Sequence, residues 1–509
     1  MAGLAGAATT TVLAAALHTV APAVPFLPES IAQSLVRAAP GGFATYFIER
    51  LGHWAIRLAV AGTFGAFLLA GAASGLLVPV LERRLLRSPL GAGAVSFLPL
   101  WAVSVILYPS NPQSLSRFPL AAAILPIYLA GGVVAGWAFV RLSGEQDRRR
   151  ATDLSRRFVL RALWVGGLGI LVGAADLGRL LYRRPDPGQH LLRVRDLSPV
   201  PSPSVAEGDA AFRQIQGLTP RVTSNPGFYV VDEEIIDPDI DPAAWRLSVT
   251  GRVARPLRLT YDQLLSQPVV ERYQTLECIS NTVGGELIST ARWEGVPVAA
   301  VLDLAGVQSS AAEAEVVFRC AGGYSDSLSI AQAMDERTLL AVGMNGHVLP
   351  RAHGFPARVL SVGTYGMKNP KWVTSIEVVD RPYQGFWEQR GWSKLALVKT
   401  GSRIDTPGDG VDVREAVAIA GVAFGGDRGI SRVEVSTDGG RTWSAGLLET
   451  ALSAYTWRRW LARWDALGPG KSTIVVRAYD GRGVVQAYAM AAPHPDGASG
   501  YDRITVTHG

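Results

Sequence analysis

Cysteine is scarce in this sequence of 509 residues, which contains only Cys278 and Cys320. Two cysteines exclude a framework of several disulfides and a four-cysteine metal site, although one disulfide between them fits the count. An iron–sulfur cluster would need more thiolates. His18 and His53 lie in or beside apolar segments, but they do not form a convincing axial pair for haem. We therefore expect neither haem nor an iron–sulfur cluster.

Acidic residues are few in the first 180 positions, which are rich in Ala, Leu, Gly and Val, whereas the remainder has an ordinary globular composition. The overall hydrophobic content of 48% thus reflects a membrane region joined to a soluble one. Much of the net charge of +6 comes from Arg in the membrane half. There it is expected to set topology, and no nucleic-acid partner is indicated.

Five segments are candidate membrane spans, each of which needs about 20 apolar residues. They are Met1 to Pro28, Leu58 to Val80, Ser88 to Ser116, Phe118 to Val140 and Ala162 to Leu181. The first could instead be a signal peptide, but it lacks a basic start.

Arginine-rich loops follow the second and fourth of these segments, and such loops favour the cytoplasmic side. The N-terminus is then cytoplasmic, and the soluble part is extracytoplasmic, on the periplasmic or outer face. The stretch SRRFVLRAL, Ser155 to Leu163, is typical of a twin-arginine export signal, although an Arg cluster that only sets topology is the alternative. Such a signal predicts a domain that folds around its cofactor before export.

The soluble half begins after a Pro- and Ser-rich linker and alternates short strands with short helices, which predicts an α+β domain. Strands are expected in Trp245 to Gly251 and on both sides of a Gly turn in Ala314 to Ile330. Helices are expected after Thr260, as N-cap, and after Pro297. Towards the C-terminus, hairpin patterns around Asp-Gly pairs predict a β-sandwich whose tryptophans fill a core or interface. The hairpins are Ile430 to Leu448 and Lys471 to Gly483, and the tryptophans are Trp443, Trp457, Trp460 and Trp464.

Cys278 ends a strand-like run and enters a Ser/Asn/Thr/Gly turn. It fits three hypotheses: a buried small residue, a disulfide partner of Cys320, or a thiolate that acts as metal ligand or nucleophile. As a nucleophile it would pair with His353 in a cysteine hydrolase. A membrane-tethered binding protein that uses the β-sandwich is a further alternative.

The blocks TLECISN, ARWEGVPVAAVLDLAGV and LPRAHGFPARVLSVGTYGMKNPKWVTSIEVVD together resemble the sulfite oxidase family of molybdenum cofactor enzymes. The resemblance covers roughly residues 220 to 509, and its last part is similar to the family's immunoglobulin-like dimerisation domain. It implies a molybdopterin-binding catalytic domain at 216–398 and an immunoglobulin-like β-sandwich at 399–509. Composition adds a helical membrane region at 1–182, which is not part of the family's shared core, and a linker at 183–215, so we expect a multi-domain protein. The resemblance also implies a possible homodimer.

The resemblance implies a role for specific residues. Cys278 matches the molybdenum ligand, and Tyr383 matches a catalytic tyrosine beside the metal. The residues matched to contacts with the single molybdopterin are Asn225, Phe228, Tyr229, Val230, His353, Arg358 and Lys371, with Lys368 as a weaker candidate. Without the resemblance, each would be read as a turn, packing or solvated residue, and Cys320 as core.

Two departures from the family pattern concern the substrate. Val231 stands where sulfite-oxidising members carry an Arg, and Ile279 to Val283 replace their Ala-Gly-Asn-Arg-Arg. Losing these arginines removes much of the attraction for an anion, so a neutral small molecule such as a sulfoxide becomes as good a candidate as sulfite. Electrons would pass to or from a redox partner or the quinone pool.

Overall fold

The computed structural model describes residues 1–20, 31–32, 34, 54–106, 117–143, 207–232, 234, 237–308, 313–413, 417–465 and 469–508. The chain divides into two compact units, Met1–Pro185 with Asp232–Ile236, and Asp186–Val231 with Asp237–Gly509. The predicted fifth span, the twin-arginine stretch and linker residues 183–206 lie outside the described residues.

Helices build the described part of the first unit, because an apolar run satisfies its backbone polar groups internally when it is helical. They are α1 (Ala2–Val20), α2 (Trp54–Leu76), α3 (Val78–Leu81), α4 (Pro89–Ser96), α5 (Leu98–Ile106) and α6 (Arg117–Ser143), with a π-helical turn at Glu82–Leu86. Small residues allow close packing, since a β-carbon at Gly6 of α1 would lie 2.6 Å from the carbonyl oxygen of Gly131 in α6. The hydroxyls of Ser104 and Tyr128 join α5 to α6 at 2.7 Å.

Three stretches are long and apolar enough to cross a membrane, namely Ala61–Leu86, Pro89–Ile106 and Pro119–Arg141. They overlap the second, third and fourth predicted spans. In α1 the apolar run, Ala2–Leu17, is shorter than the about 20 residues that a span needs. The described residues therefore support three of the five predicted spans.

Two sheets form the first domain of the second unit. Their strands are β1 (Arg246–Gly251), β2 (Leu257–Thr260), β3 (Val270–Glu277), β4 (Ile288–Pro297), β5 (Glu315–Cys320), β6 (Ser325–Ser329), β7 (Leu339–Met344), β8 (His347–Val348), β9 (Arg358–Leu360) and β10 (Val373–Val379). One sheet has the order β2-β1-β10-β5-β6, and the other has the order β3-β4-β7-β8, with β9 also on β7. Pairing is antiparallel except between β1 and β10, as suits an α+β domain.

Short helices join these strands at α7 (Tyr261–Leu265), α8 (Val298–Ala305) and α9 (Ile330–Ala333). The predicted N-cap is confirmed, because Thr260 and Gln263 exchange side-chain and backbone hydrogen bonds in a capping box. Helix α8 follows Pro297, as predicted. In the described part of the second unit, 3₁₀ turns lie at Glu207–Gln214, Asn225–Gly227, Arg351–His353, Gly366–Lys368 and Glu388–Arg390.

The main core of this domain collects buried side chains from both sheets and from α8, such as Val249, Phe318, Leu340 and Leu302. Cys320 belongs to this core and is only 6% exposed, as predicted. Both cysteine thiols are free of disulfides, so the disulfide hypothesis for Cys278 is wrong.

Two further sheets form the C-terminal domain. Their strands are β11 (Gly401–Thr406), β12 (Asp412–Val413), β13 (Val417–Phe424), β14 (Ile430–Ser436), β15 (Ser444–Ala445), β16 (Leu447–Leu448), β17 (Arg458–Trp464), β18 (Gly470–Asp480) and β19 (Arg503–His508). The orders are β11-β13-β17-β16 and β12-β19-β18-β14-β15. Ile419 and Trp460 of the first sheet share a core with Val433 and Ile474 of the second.

Of the two hairpins predicted here, the one around Asp438 is confirmed by the pairing of β14 with β15. The second differs, because β18 ends at Asp480 and the returning chain makes one isolated bridge, between Tyr479 and Val485. Its turn is held by the Asp480 carboxylate, which accepts the backbone N–H groups of Arg482 and Val484 at 3.0 Å each. Trp457 and Trp460 are buried, as expected for side chains that fill a core or an interface.

Candidate functional site

Cys278 lies directly after β3, where the chain turns back towards β4. Its backbone N–H donates to the Leu287 carbonyl at 2.9 Å, and its own carbonyl accepts the Asn281 N–H at 3.0 Å. The thiol side chain is half-buried, whereas the neighbouring Ile279 and Ser280 are each only 5% exposed. The turn therefore holds Cys278 in a fixed, accessible position, which suits a ligand or a nucleophile better than a packing residue.

Asn281 braces the base of this turn. Its amide donates to the Glu277 carboxylate at 3.0 Å, and its side-chain oxygen accepts the Leu287 N–H at 3.0 Å. Burial raises the pKa of Glu277 to about 7, even though Asn281 and Arg403 favour the charged form. The turn is thus anchored by polar contacts on the side of β3.

The segment from Asn225 to Val230 lies against the sheet that contains β3. Phe228 is buried, with its ring 5.5 Å from that of Trp293 and 5.3 Å from that of His353. Next to it, Tyr229 donates its backbone N–H to the Ser289 hydroxyl at 3.2 Å, and Val230 is half-buried.

Tyr229 reaches the Cys278 turn through Gly366. A β-carbon at Gly366 would lie 2.9 Å from the Tyr229 hydroxyl and 3.8 Å from the Cys278 Cα. Only a glycine therefore lets the tyrosine, the cysteine turn and the 3₁₀ turn at Gly366–Lys368 approach this closely.

His353 joins this segment to the block that follows β8. The imidazole Nε2 lies 2.9 Å from the Asn225 carbonyl oxygen, and the Asn225 amide oxygen accepts from the Asn345 side chain at 2.7 Å. His353 is 2% exposed. Its ring is therefore fixed in orientation.

Arg358 and Lys371 are brought together at Gly354. Arg358 is 5% exposed, donates to the carbonyls of His353 and Asn369 at 3.2 and 3.1 Å, and lies over the Trp293 ring. Lys371 donates to the Ala352 carbonyl at 2.9 Å. A guanidinium and an ammonium carried by neighbouring residues form a donor set that suits a phosphate.

Gly354 has a φ of +112°, and a β-carbon there would lie 2.9 Å from the Arg358 Cβ and 3.0 Å from the Lys371 Cβ. We expect Gly354→Ala to lower the free energy of unfolding by about 1–3 kcal/mol and to reduce cofactor retention, because Arg358 and Lys371 must shift away from the added β-carbon. Gly483→Ala is the matched control, since Gly483 has a φ of +80° and nothing within 4 Å of a β-carbon. Melting temperature and pterin content measure the two effects. Equal behaviour of both variants would contradict the role given to Gly354.

Lys368 ends the 3₁₀ turn that begins at Gly366, but its ammonium binds two carboxylates. Its ammonium donates to Asp326 at 2.7 Å, to the Ser327 carbonyl at 3.2 Å and to Glu388. Burial, only partly offset by Lys368, raises the pKa of Asp326 to about 7, whereas the two carboxylates raise the pKa of Lys368 despite its own burial. Since an ammonium has three donors, this geometry favours a structural role, and the pterin contact of Lys368 stays a prediction.

Tyr383 lies beside the start of β6. Its hydroxyl is 2.6 Å from the Ser325 hydroxyl, and Arg319 Nη1 donates to it at 3.4 Å. The neighbouring Tyr324 donates to the Met367 carbonyl at 2.7 Å, in the turn that contains Gly366. A chain of contacts thus connects the Tyr383 region to the Cys278 turn, and the catalytic role of Tyr383 stays a prediction.

The described residues contain no group of three or more His, Cys, Asp or Glu that could hold a metal ion. A metal at Cys278 would therefore take most of its ligands from a cofactor. The donor set fits such a group, with one accessible thiol for a soft metal and Arg358, His353 and Lys371 for a phosphate and polar edge.

Comparison with known proteins adds independent evidence. The family profile for the oxidoreductase molybdopterin binding domain matches residues 234–387, and the profile for the Mo-co oxidoreductase dimerisation domain matches residues 397–492. Human mitochondrial sulfite oxidase is 34% identical over 306 residues, which is 51% of this chain and 56% of that protein. The chain therefore contains the two domains that these profiles describe, and it is similar to sulfite oxidases over about half of its length. These matches indicate a domain that binds molybdopterin with molybdenum, and they favour an oxidoreductase over the cysteine hydrolase and binding-protein hypotheses.

Other relatives extend beyond sulfite oxidases. The NADH nitrate reductase of Ulva prolifera is 29% identical over 304 residues, which is 48% of this chain and 35% of that protein. The solved structure of the sulfane dehydrogenase SoxCD from Paracoccus pantotrophus gives a TM-score of 0.49 at 23% identity, over 57% of this chain and 81% of that one. The match covers little more than half the length of human sulfite oxidase.

Sequence reasoning missed several residues that shape the site. Ser280 lies 3.0 Å from the Cys278 sulfur, and Trp293 lies under Arg358. Trp372, directly after Lys371, has a φ of +55°, an unusual value for a bulky residue that often marks a functional site. Of these, only Ser280 had a signal in the sequence, its place two residues after the cysteine.

Proposed function

We propose that this chain is a membrane-anchored molybdenum-cofactor oxidoreductase that catalyses two-electron oxygen-atom transfer on a small substrate. One observation carries the proposal: the half-buried Cys278 and the Tyr229 hydroxyl both approach Gly366 in the domain that matches the molybdopterin-binding profile. The cofactor supplies the redox and oxygen-atom chemistry, while the protein binds, orients and tunes it.

The residues of this chain divide that work. Cys278 provides the protein thiolate to the metal, in a turn braced by Asn281. Arg358, His353 and Lys371 bind the phosphate and polar edge of the pterin. The close approach of Arg358 and Lys371 at Gly354 and the burial of the Arg358 side chain support this assignment.

A second group of residues completes the proposed site. Asn225, Phe228, Tyr229 and Val230 line the pterin, an assignment supported by the bond between His353 and the Asn225 carbonyl. Tyr383 acts as a hydrogen-bond donor near the metal. This role rests on its place in the family pattern and on its ordered hydroxyl beside Ser325.

The proposed substrate is neutral, such as a sulfoxide, and sulfite is disfavoured. Val231, Thr282 and Val283 stand where the family pattern has anion-binding arginines, and Thr282 is exposed. Without those cations, the electrostatic attraction for a small anion is weak.

The substrate assignment is tested with the purified full chain in detergent and a redox dye. One assay combines the reduced dye with dimethyl sulfoxide, and the other combines the oxidised dye with sulfite. We expect turnover with the sulfoxide and little with sulfite, and Arg358→Met should lower both through loss of cofactor. Saturable sulfite oxidation without sulfoxide turnover would overturn the substrate assignment while leaving the family intact.

We also propose multi-pass anchoring with the catalytic domain on the extracytoplasmic side. Three apolar helical stretches and the Arg-rich loops support this arrangement. A reporter enzyme that works only in the periplasm should be active when it is fused after residue 185. If a reporter that works only in the cytoplasm were active at the same position, the proposed orientation would be wrong. Export through the twin-arginine system predicts that blocking that pathway stops the soluble part from reaching the outer face.

The domain boundaries 1–182, 183–215, 216–398 and 399–509 are part of the proposal. The profile matched at 234–387 lies within the third range, and the profile matched at 397–492 begins two residues before the fourth. The two-sheet architecture of residues 399–509 supports an immunoglobulin-like domain. The dimerisation profile supports a homodimer through it. Light scattering of the detergent-solubilised chain would measure this state.

A further inference from the structure

Ser280 places a hydroxyl directly against the proposed metal ligand. Its Oγ lies 3.0 Å from the Cys278 sulfur, and the serine is only 5% exposed. The contact spans two residues of one tight turn, which Asn281 closes by donating its N–H to the Cys278 carbonyl. The hydroxyl is therefore held beside the sulfur by backbone geometry rather than by a flexible side chain.

The direction of this hydrogen bond follows from the chemistry of a metal-bound sulfur. A free thiol and a hydroxyl can each donate, but a cysteine that ligates a metal is a thiolate and has no proton left. The sulfur can then only accept, and Ser280 must donate. Water competes weakly for this hydroxyl because the side chain is buried.

We propose that Ser280 is a positioning residue that donates a hydrogen bond to the metal-ligating sulfur of Cys278 and thereby raises the reduction potential of the metal. This inference rests on the proposed function. Hydrogen bonds to a ligating sulfur withdraw electron density from it, and they stabilise the more negative, reduced form of the centre over the oxidised form. The family pattern has a glycine at this position, which carries no hydroxyl, so the effect is a property of this chain.

The test compares Ser280→Ala, which removes the donor, with Ser280→Thr, which keeps it. Each full-length variant is purified in detergent, its molybdenum content is measured, and the metal is titrated with redox mediators while its paramagnetic state is followed by electron paramagnetic resonance. We expect the equilibrium in Ser280→Ala to favour the oxidised metal about tenfold more than in the wild type. For a one-electron couple, this corresponds to a reduction potential that is about 59 mV lower. Ser280→Thr should stay near the wild type.

A second readout comes from the absorption spectrum of the oxidised protein. Removing the hydrogen bond raises the energy of the sulfur electrons, so the sulfur-to-metal charge-transfer band should move to longer wavelength in Ser280→Ala. A purely structural role would change metal content or melting temperature without moving this band.

An unchanged potential and band in a fully loaded Ser280→Ala protein would overturn the inference and leave the proposed function standing. A wild-type protein that binds no molybdenum would instead overturn the proposed function. If the Ala variant fails to load, Ser280→Gly provides a second hydroxyl-free variant, since the family pattern carries glycine at this position. A wild-type potential in that variant would equally overturn the inference.

Discussion

Cys278→Ser is expected to lower oxidoreductase activity by at least about 100-fold, because even residues that only orient metal ligands are worth 10–100-fold. Cys278 is the accessible cysteine of the chain, at the end of β3, with its backbone fixed by Leu287 and Asn281. A serine oxygen is a harder ligand than a thiolate and suits this metal less well. Activity, metal content and the sulfur-to-metal absorption band of the purified full chain measure the effect.

Cys320→Ala is the matched control. Cys320 is 6% exposed within the main core, so its replacement should cost some stability but leave metal content and the absorption band unchanged. A Cys278→Ser protein with full metal and full activity would contradict the assignment of Cys278 as ligand. Loss of the band in Cys320→Ala would contradict it as well.

Lys368→Met is expected to lower the free energy of unfolding by about 3–5 kcal/mol, because it leaves the carboxylates of Asp326 and Glu388 buried without their cation. The side chains of the three residues are each no more than 4% exposed. Thermal unfolding of the full chain in detergent measures the change. Restoring neutrality with Asp326→Asn and Glu388→Gln in the same protein should recover part of the loss.

Arg252→Met is the control for this prediction. Arg252 pairs with Asp380 at 2.6 Å, but the two side chains are 62% and 39% exposed, so the loss should be at most about 1 kcal/mol. If Lys368→Met kept its stability and instead lost pterin, Lys368 would be a cofactor contact, as the family pattern suggests, rather than a structural residue.

Local sequence signals predicted much of the fold in the soluble part. The capping box at Thr260, the helix after Pro297 and the hairpin at Asp438 each depend on residues within a few positions of one another. The place of Cys278 at the end of a strand-like run left three hypotheses open, and the prediction that it is the metal ligand came from the family resemblance. The second hairpin was mispredicted because an Asp-Gly pair marks a turn without saying whether the returning chain pairs over its length.

The candidate site was harder to predict where its contacts are distant in sequence. The partners of Lys368 lie 42 and 20 residues away, so only the fold reveals that its charge is enclosed. Tyr229 and Cys278 approach each other because Gly366, far from both in sequence, has no side chain. The hydroxyl of Ser280 is close to Cys278 in sequence, but its direction depends on the turn geometry.

The most direct test of the central claim is the molybdenum and pterin content of the full chain, purified from a host that makes the cofactor. Metal is measured by mass spectrometry and pterin by the fluorescence of its oxidised derivative, with Cys278→Ser and Arg358→Met in parallel. The account predicts about one molybdenum and one pterin for each wild-type chain, as one thiolate ligand and one phosphate site imply. It also predicts less of both in Arg358→Met. A folded wild-type protein without molybdenum or pterin would contradict it.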